Sequence, residues 1–118
     1  MKRKTILKHD DFITPPDSIV GRSEFFIIKT KLSKSADDPR YGIVASKRTF
    51  KSAVDRNRAK RLLRDWIAFN ENLMLPALDY IFIAQSRILG ASRELGRLRM
   101  YKSFEIIAKT YRKYGNRK

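Results

Sequence analysis

Apolar and polar positions along the chain follow two different periods. Glu24 to Leu32 contains Phe25-Phe26-Ile27-Ile28 and then alternates Lys29, Thr30, Lys31, Leu32. A period of two places Phe26, Ile28, Thr30 and Leu32 on one face of a strand and Phe25, Ile27, Lys29 and Lys31 on the other. Tyr41 to Ser46 and Asp79 to Ala84 read as further strands, and a short one fits Ile19 to Arg22. The period changes to a helical one from Ala53 to about Met74, where Ala59, Leu62, Trp66, Phe69 and Leu73 form one stripe bordered by Leu63. A second helical pattern runs from about Arg93 to Tyr114 on Leu98, Tyr101, Phe104, Ile107, Ala108 and Tyr111. Thr14-Pro15-Pro16-Asp17 ends a short helical start, Ser33 to Arg40 reads as a hairpin loop, and Pro76 is expected to stop the central helix. Gly115 suits a helix stop, and the tail to Lys118 is expected to be mobile. These elements predict one α+β domain over residues 1–118: a small, mostly antiparallel sheet of about four strands packed with three helices.

The polar side of the central helix changes the picture. Ser52-Ala53-Val54-Asp55 has the form of a capping box, in which Ser52 accepts from the backbone amide of Asp55 and Asp55 reaches back to the amide of Ser52, its carboxylate also suiting the helix dipole. Opposite the apolar stripe lie Asn57, Lys60, Arg61 and Arg64, with Arg56 and Arg58 on its two borders. Between Lys47 and Arg64 the bases are Lys47, Arg48, Lys51, Arg56, Arg58, Lys60, Arg61 and Arg64, and the sole acid is Asp55. Like charges on one helix face cost a few tenths of a kcal/mol per pair. A face selected only for solubility would interleave glutamates at i,i+4, and this one has none. Arginine's planar fork pairs bidentately with phosphate and stacks on bases.

The whole chain carries the same bias: 27 Lys+Arg against 12 Asp+Glu, a formal net charge of +15. Such a chain attracts polyanions, and nucleic acid is the commonest of them. Basic amphipathic helices also bind membranes or calmodulin-like grooves. Here the stripe is needed for the domain's own core, which argues against both. No apolar run reaches the roughly 18–20 residues of a membrane span. The basic start Met1-Lys2-Arg3-Lys4 meets His9-Asp10-Asp11 without an apolar segment, so it does not read as a signal peptide. The absence of cysteine excludes disulfides and thiolate metal sites and fits a cytoplasmic location. RNA is favoured over duplex DNA only weakly by this chemistry. The strand aromatics could face unpaired bases, but core packing is the reading preferred for most of them.

No catalytic constellation stands out. His9 is the only histidine, which excludes a two-histidine ribonuclease mechanism. Asp10-Asp11 and Asp37-Asp38 are adjacent pairs that read as loop or cap residues, not the dispersed carboxylates of a two-metal nuclease. The residues alone therefore leave three readings open: an RNA-binding subunit of an enzyme, a non-enzymatic RNA-binding protein of ribosomal or chaperone-like kind, and a DNA-binding module.

The run Lys47-Arg48, then Ala53-Val54-Asp55-Arg56-Asn57-Arg58-Ala59-Lys60-Arg61-Leu62-Leu63-Arg64, resembles the bacterial ribonuclease P protein subunit. Leu7 to Phe12, Tyr41 to Ser46 and Asp79 to Ala84 resemble the family's first helix and the strands flanking its motif helix. The resemblance implies a ribonuclease P protein-like fold with a left-handed βαβ crossover, an exception to the usual handedness. It implies a holoenzyme that removes the 5′ leader of precursor tRNA, with the active site and its Mg2+ ions mainly on the catalytic RNA, no catalytic residue in the protein and no metal site assigned to it. Its implied partners are that RNA and precursor tRNA, with no membrane and no protein partner required. Carried over by position, Arg56, Asn57, Arg58, Lys60, Arg61 and Arg64 would contact the catalytic RNA, Lys47, Arg48 and Lys51 would lie near RNA or leader, and Phe12 would line the leader cleft. Two positions depart from the family pattern: Pro16 replaces a second aromatic, and Gln85 follows Ile83-Ala84 where many members have arginine.

Overall fold

The computed structural model describes residues 4–5, 18–33 and 39–115. In chain order these are β1 (Lys4–Thr5), β2 (Val20–Arg22), β3 (Phe26–Leu32), β4 (Arg40–Val44), α1 (Ala53–Phe69), β5 (Leu78–Ala84) and α2 (Arg93–Thr110). Short 3-10 turns follow α1 and β5, and a π turn over Tyr111–Gly115 extends α2. The α+β class is as the patterning predicts, and β2 fills the short strand read at Ile19 to Arg22. The expected first helix, with Phe12 and Pro16, and the tail beyond Gly115 lie outside the described residues.

The five strands form one sheet in the order β1-β4-β5-β3-β2. Strand β5 pairs antiparallel with β3 and parallel with β4, while β2 is antiparallel to β3 and β1 parallel to β4. The sheet is therefore evenly mixed rather than mostly antiparallel. The segment between β3 and β4 is also not a hairpin loop, because β5 is inserted between those strands. The connection has to cross two strand spacings, about 9–10 Å, which a tight turn cannot do.

Both helices pack on the face of the sheet that carries Phe26, Ile28, Tyr80 and Phe82, all essentially buried. Tyr80 and Phe82 stack at 6.2 Å, and the Phe104 ring from α2 meets each edge-on at 5.5 and 6.0 Å. From α1 come Ala59, Leu63, Trp66 and Ile67, and from α2 Gly96, Met100, Ser103, Phe104 and Ile107. The strand aromatics on this face are thus core. The register Arg40↔Asp79 sets a bidentate pair at the end of β4 and β5, with Nε to Oδ1 at 3.0 Å and Nη2 to Oδ2 at 2.6 Å. Asp79 is wholly buried, so this partner offsets the desolvation of its charge.

Helix α1 stops well short of Pro76. At Asn70 the backbone N–H turns to the Ile67 carbonyl, three residues back. That leaves the Trp66 carbonyl to the Asn70 side chain, whose Nδ2 donates to it at 3.0 Å and to Arg97 O on α2 at 3.0 Å. An asparagine amide ends the helix here and ties the ending to its neighbour.

Candidate nucleic-acid interface

The approach to α1 is a built turn. After β4, Ser46 Oγ accepts from Thr49 N at 3.1 Å and donates to Thr49 Oγ1 at 3.0 Å, and Phe50 N donates to Ser46 O at 2.9 Å. Phe50 is buried and pins the turn to the core. Lys47, Arg48 and Lys51 are left exposed around it. Ser52 then caps α1, its Oγ accepting from Val54 N at 3.1 Å and Asp55 N at 3.4 Å. This is the Ser52 half of the expected capping box.

The buried side of α1 is turned relative to the expected stripe. Ala59 and Leu63 lie at its centre and Ile67 is drawn into it, while Phe69 is 62% exposed. On a 100°-per-residue wheel the shift is about 60–70°. It moves the two arginines that sequence placed symmetrically on the borders. Arg58 joins the exposed face with Asn57, Arg61 and Arg64. Arg56 goes the other way: it is half-buried, and its Nη1 donates to Phe50 O at 2.9 Å and Lys51 O at 3.3 Å. Arg56 thus braces the turn that carries Lys47, Arg48 and Lys51. Lys60 is half-buried at the edge. All nine sequence-predicted residues from Lys47 to Arg64 belong to this one turn-and-helix unit, while Phe12 lies outside the described residues.

The charges on this unit are not neutralised. Among the described residues, Lys47, Arg48, Lys51, Arg58, Lys60, Arg61 and Arg64 make no ion pair. The paired acids go to arginines outside it: Asp79 to Arg40, Asp65 of α1 itself to Arg97 at 3.0 Å, and Glu24 to Arg99 at 2.9 Å. The bond from Arg99 holds the Glu24 carboxyl below its ordinary pKa, and the Asp65 contact raises that of Arg97. No group of three or more potential metal ligands occurs among the described residues. This surface therefore presents uncompensated positive charge among the described residues.

The second face of the sheet, away from both helices, carries Ile27, Ile81, Ile83, Gly42 and Val44, with Arg22, Lys29, Lys31 and Arg40 around them. It combines an apolar floor with a basic rim. Sequence reasoning missed the contribution of α2 altogether. Arg93 and Arg97 come beside α1 because Gly96 lets the two helices approach closely over Trp66. A glycine inside a helical pattern was the available signal.

A family model described as Ribonuclease P matches residues 1–115. The chain is 35% identical over 74 residues to the ribonuclease P protein component of Pseudomonas entomophila (strain L48), a match covering 63% of this chain and 53% of that protein. It is 29% identical over 109 residues to the same component of Desulforapulum autotrophicum, covering 92% of each. The first of these matches thus spans about half the relative's length. Among solved structures, the ribonuclease P protein of Staphylococcus aureus superposes with a TM-score of 0.67 at 28% identity, covering 92% of this chain and 95% of that one. The protein from Thermotoga maritima shares the fold, with a TM-score of 0.73 at 18% identity and coverage of 90% and 98%.

Proposed function

The chain belongs to the ribonuclease P protein family, and we propose from that membership that it is the protein subunit of a ribonuclease P ribonucleoprotein. In this reading it holds the catalytic RNA through the turn and exposed face of α1 and assists endonucleolytic removal of the 5′ leader of precursor tRNA. The observation that carries the reading is the set of seven cationic side chains on one turn-and-helix unit that make no ion pair among the described residues. Arg58, Arg61 and Arg64 recur at three-residue spacing along α1, so they follow one stripe of a phosphate backbone. Lys47, Arg48 and Lys51 extend that stripe beyond the helix N-terminus. Each phosphate neutralised releases condensed counterions, so binding is driven largely by entropy and weakens with salt.

The second face of the sheet is the proposed seat of the leader. Half-buried Ile27 and Ile83 suit the apolar faces of unpaired bases, and Arg22, Lys29 and Lys31 suit the backbone around them. Hydrolysis itself is assigned to the RNA subunit and its Mg2+ ions. The protein's part is to position two RNAs and to supply fixed positive charge, which lowers the amount of Mg2+ needed to screen them. No helix among the described residues is long and apolar enough to cross a membrane. The proposed place of action is the cytoplasm, with the precursor tRNAs.

The test is reconstitution with the cognate ribonuclease P RNA at low Mg2+. Leader removal and precursor affinity should both rise on adding the protein. Absence of either gain would overturn the proposal.

A further inference from the structure

A groove of about 260 Å³ runs between α1 and the start of α2, lined by Arg58, Arg61, Leu62, Asp65, Trp66 and Arg93. Three guanidiniums from two helices thus surround one small space. None of Arg58, Arg61 and Arg93 is in an ion pair or hydrogen bond with a described residue. The single acid in the lining, Asp65, is already committed to Arg97, which reaches it through both Nε at 3.1 Å and Nη2 at 3.0 Å. Trp66 forms part of the wall; its indole N–H is buried against Gly96 of α2, so the donors facing the groove are the three guanidiniums. The groove therefore offers donors and positive charge with no acceptor left uncommitted.

Three like charges gathered around one space repel each other unless an anion separates them. We propose that this groove is a phosphate-binding site for an RNA backbone, and that Arg93 carries the RNA interface from α1 onto α2. The inference rests on the proposed function and adds a second helix to its binding surface. The groove is smaller than the roughly 300–1,000 Å³ usual for a small-molecule pocket, and its walls are arginine rather than apolar, so a backbone phosphate fits it better than a metabolite. Arg58 and Arg61 lie on the stripe already assigned to RNA, so RNA held there lies beside Arg93. The phosphate belongs either to the catalytic RNA or to precursor tRNA.

The experiment uses the full chain and the cognate ribonuclease P RNA, with affinity measured across a KCl series for wild type, Arg93→Gln and Lys102→Gln. Lys102 is exposed on α2, outside the groove. Arg93→Gln should weaken binding by about tenfold, and the log–log salt slope should fall by about 0.7–0.9 for the lost contact. Lys102→Gln should leave both unchanged, and the melting temperatures of all three should agree. Because the chain has no cysteine, Arg93→Cys and Lys102→Cys each provide a single thiol for an iron-chelate cleavage reagent. Strand cuts from position 93 and not from position 102 would support the site independently of affinity. An effect of Arg93→Gln on the catalytic RNA alone assigns the phosphate to it, and an effect confined to the holoenzyme with precursor tRNA assigns it to the substrate. Wild-type binding with an unchanged slope for Arg93→Gln and no cuts from position 93 would overturn the inference alone. Failure of the wild-type chain to bind the RNA would overturn the proposed function as well.

Discussion

At the scale of single residues, Gly96 and Trp66 set how the helices meet. A Cβ built on Gly96 would stand 1.9 Å from Cε2 and 2.1 Å from Cζ2 of Trp66. Neither partner can yield: Trp66 is wholly buried, and Gly96 lies within α2. Alanine normally gains up to about 1 kcal/mol over glycine inside a helix. Here the helices would have to separate, and overpacking of this kind costs about 1–3 kcal/mol or more. Gly96→Ala should therefore destabilise the protein by about 2 kcal/mol net. Urea unfolding followed through the single tryptophan measures it, and a midpoint at or above that of wild type would contradict the packing described.

At the scale of elements, the rotation of α1 separates two arginines that the sequence treats alike. Arg58 projects from the exposed face with no partner among the described residues, whereas Arg56 bonds to the carbonyls of Phe50 and Lys51. Arg58→Ala should keep stability within about 0.5 kcal/mol and lower the RNA salt slope by about 0.7–0.9. Arg56→Ala should cost about 1 kcal/mol of stability and loosen the turn bearing Lys47, Arg48 and Lys51. Its slope should change less than that of Arg58→Ala. Thermal melts and a salt series on the two variants check this, and equal behaviour in both would remove the distinction. The alternation in Phe26 to Leu32 and the basic run from Lys47 to Arg64 were legible because period and charge are local properties. The insertion of β5 between β3 and β4 was not, because pairing depends on contacts between residues about 50 positions apart. Nor was the exposure of Phe69: its ring lies under the Arg97 guanidinium, 4.2 Å from the centroid, and that cation comes from a different helix. The RNA-facing residues were readable as a group, but their division into brace and contact required the rotation of α1 to be known.

At the scale of the whole molecule, charge acts on folding and on binding with opposite sign. A net charge of +15 on 118 residues repels itself in the compact state. The repulsion is concentrated on the turn and face of α1, because the acids Asp79, Asp65 and Glu24 are matched to arginines elsewhere. Added salt shortens the screening length from about 30 Å at 0.01 M to about 8 Å at 0.15 M, so it relieves this repulsion in the free protein. The same salt removes the counterion-release term that drives RNA association. The melting temperature of the free chain should therefore rise between 0.01 and 0.15 M KCl while its affinity for RNA falls. In the complex the first trend should weaken or reverse, since the phosphates neutralise the face and salt then dissociates them. Calorimetric melts of free and RNA-bound protein across one KCl series test the pair of trends together. A free protein whose melting temperature falls with salt would mean that the exposed arginines are already neutralised from within the chain, which would remove the charge that the proposed RNA interface depends on.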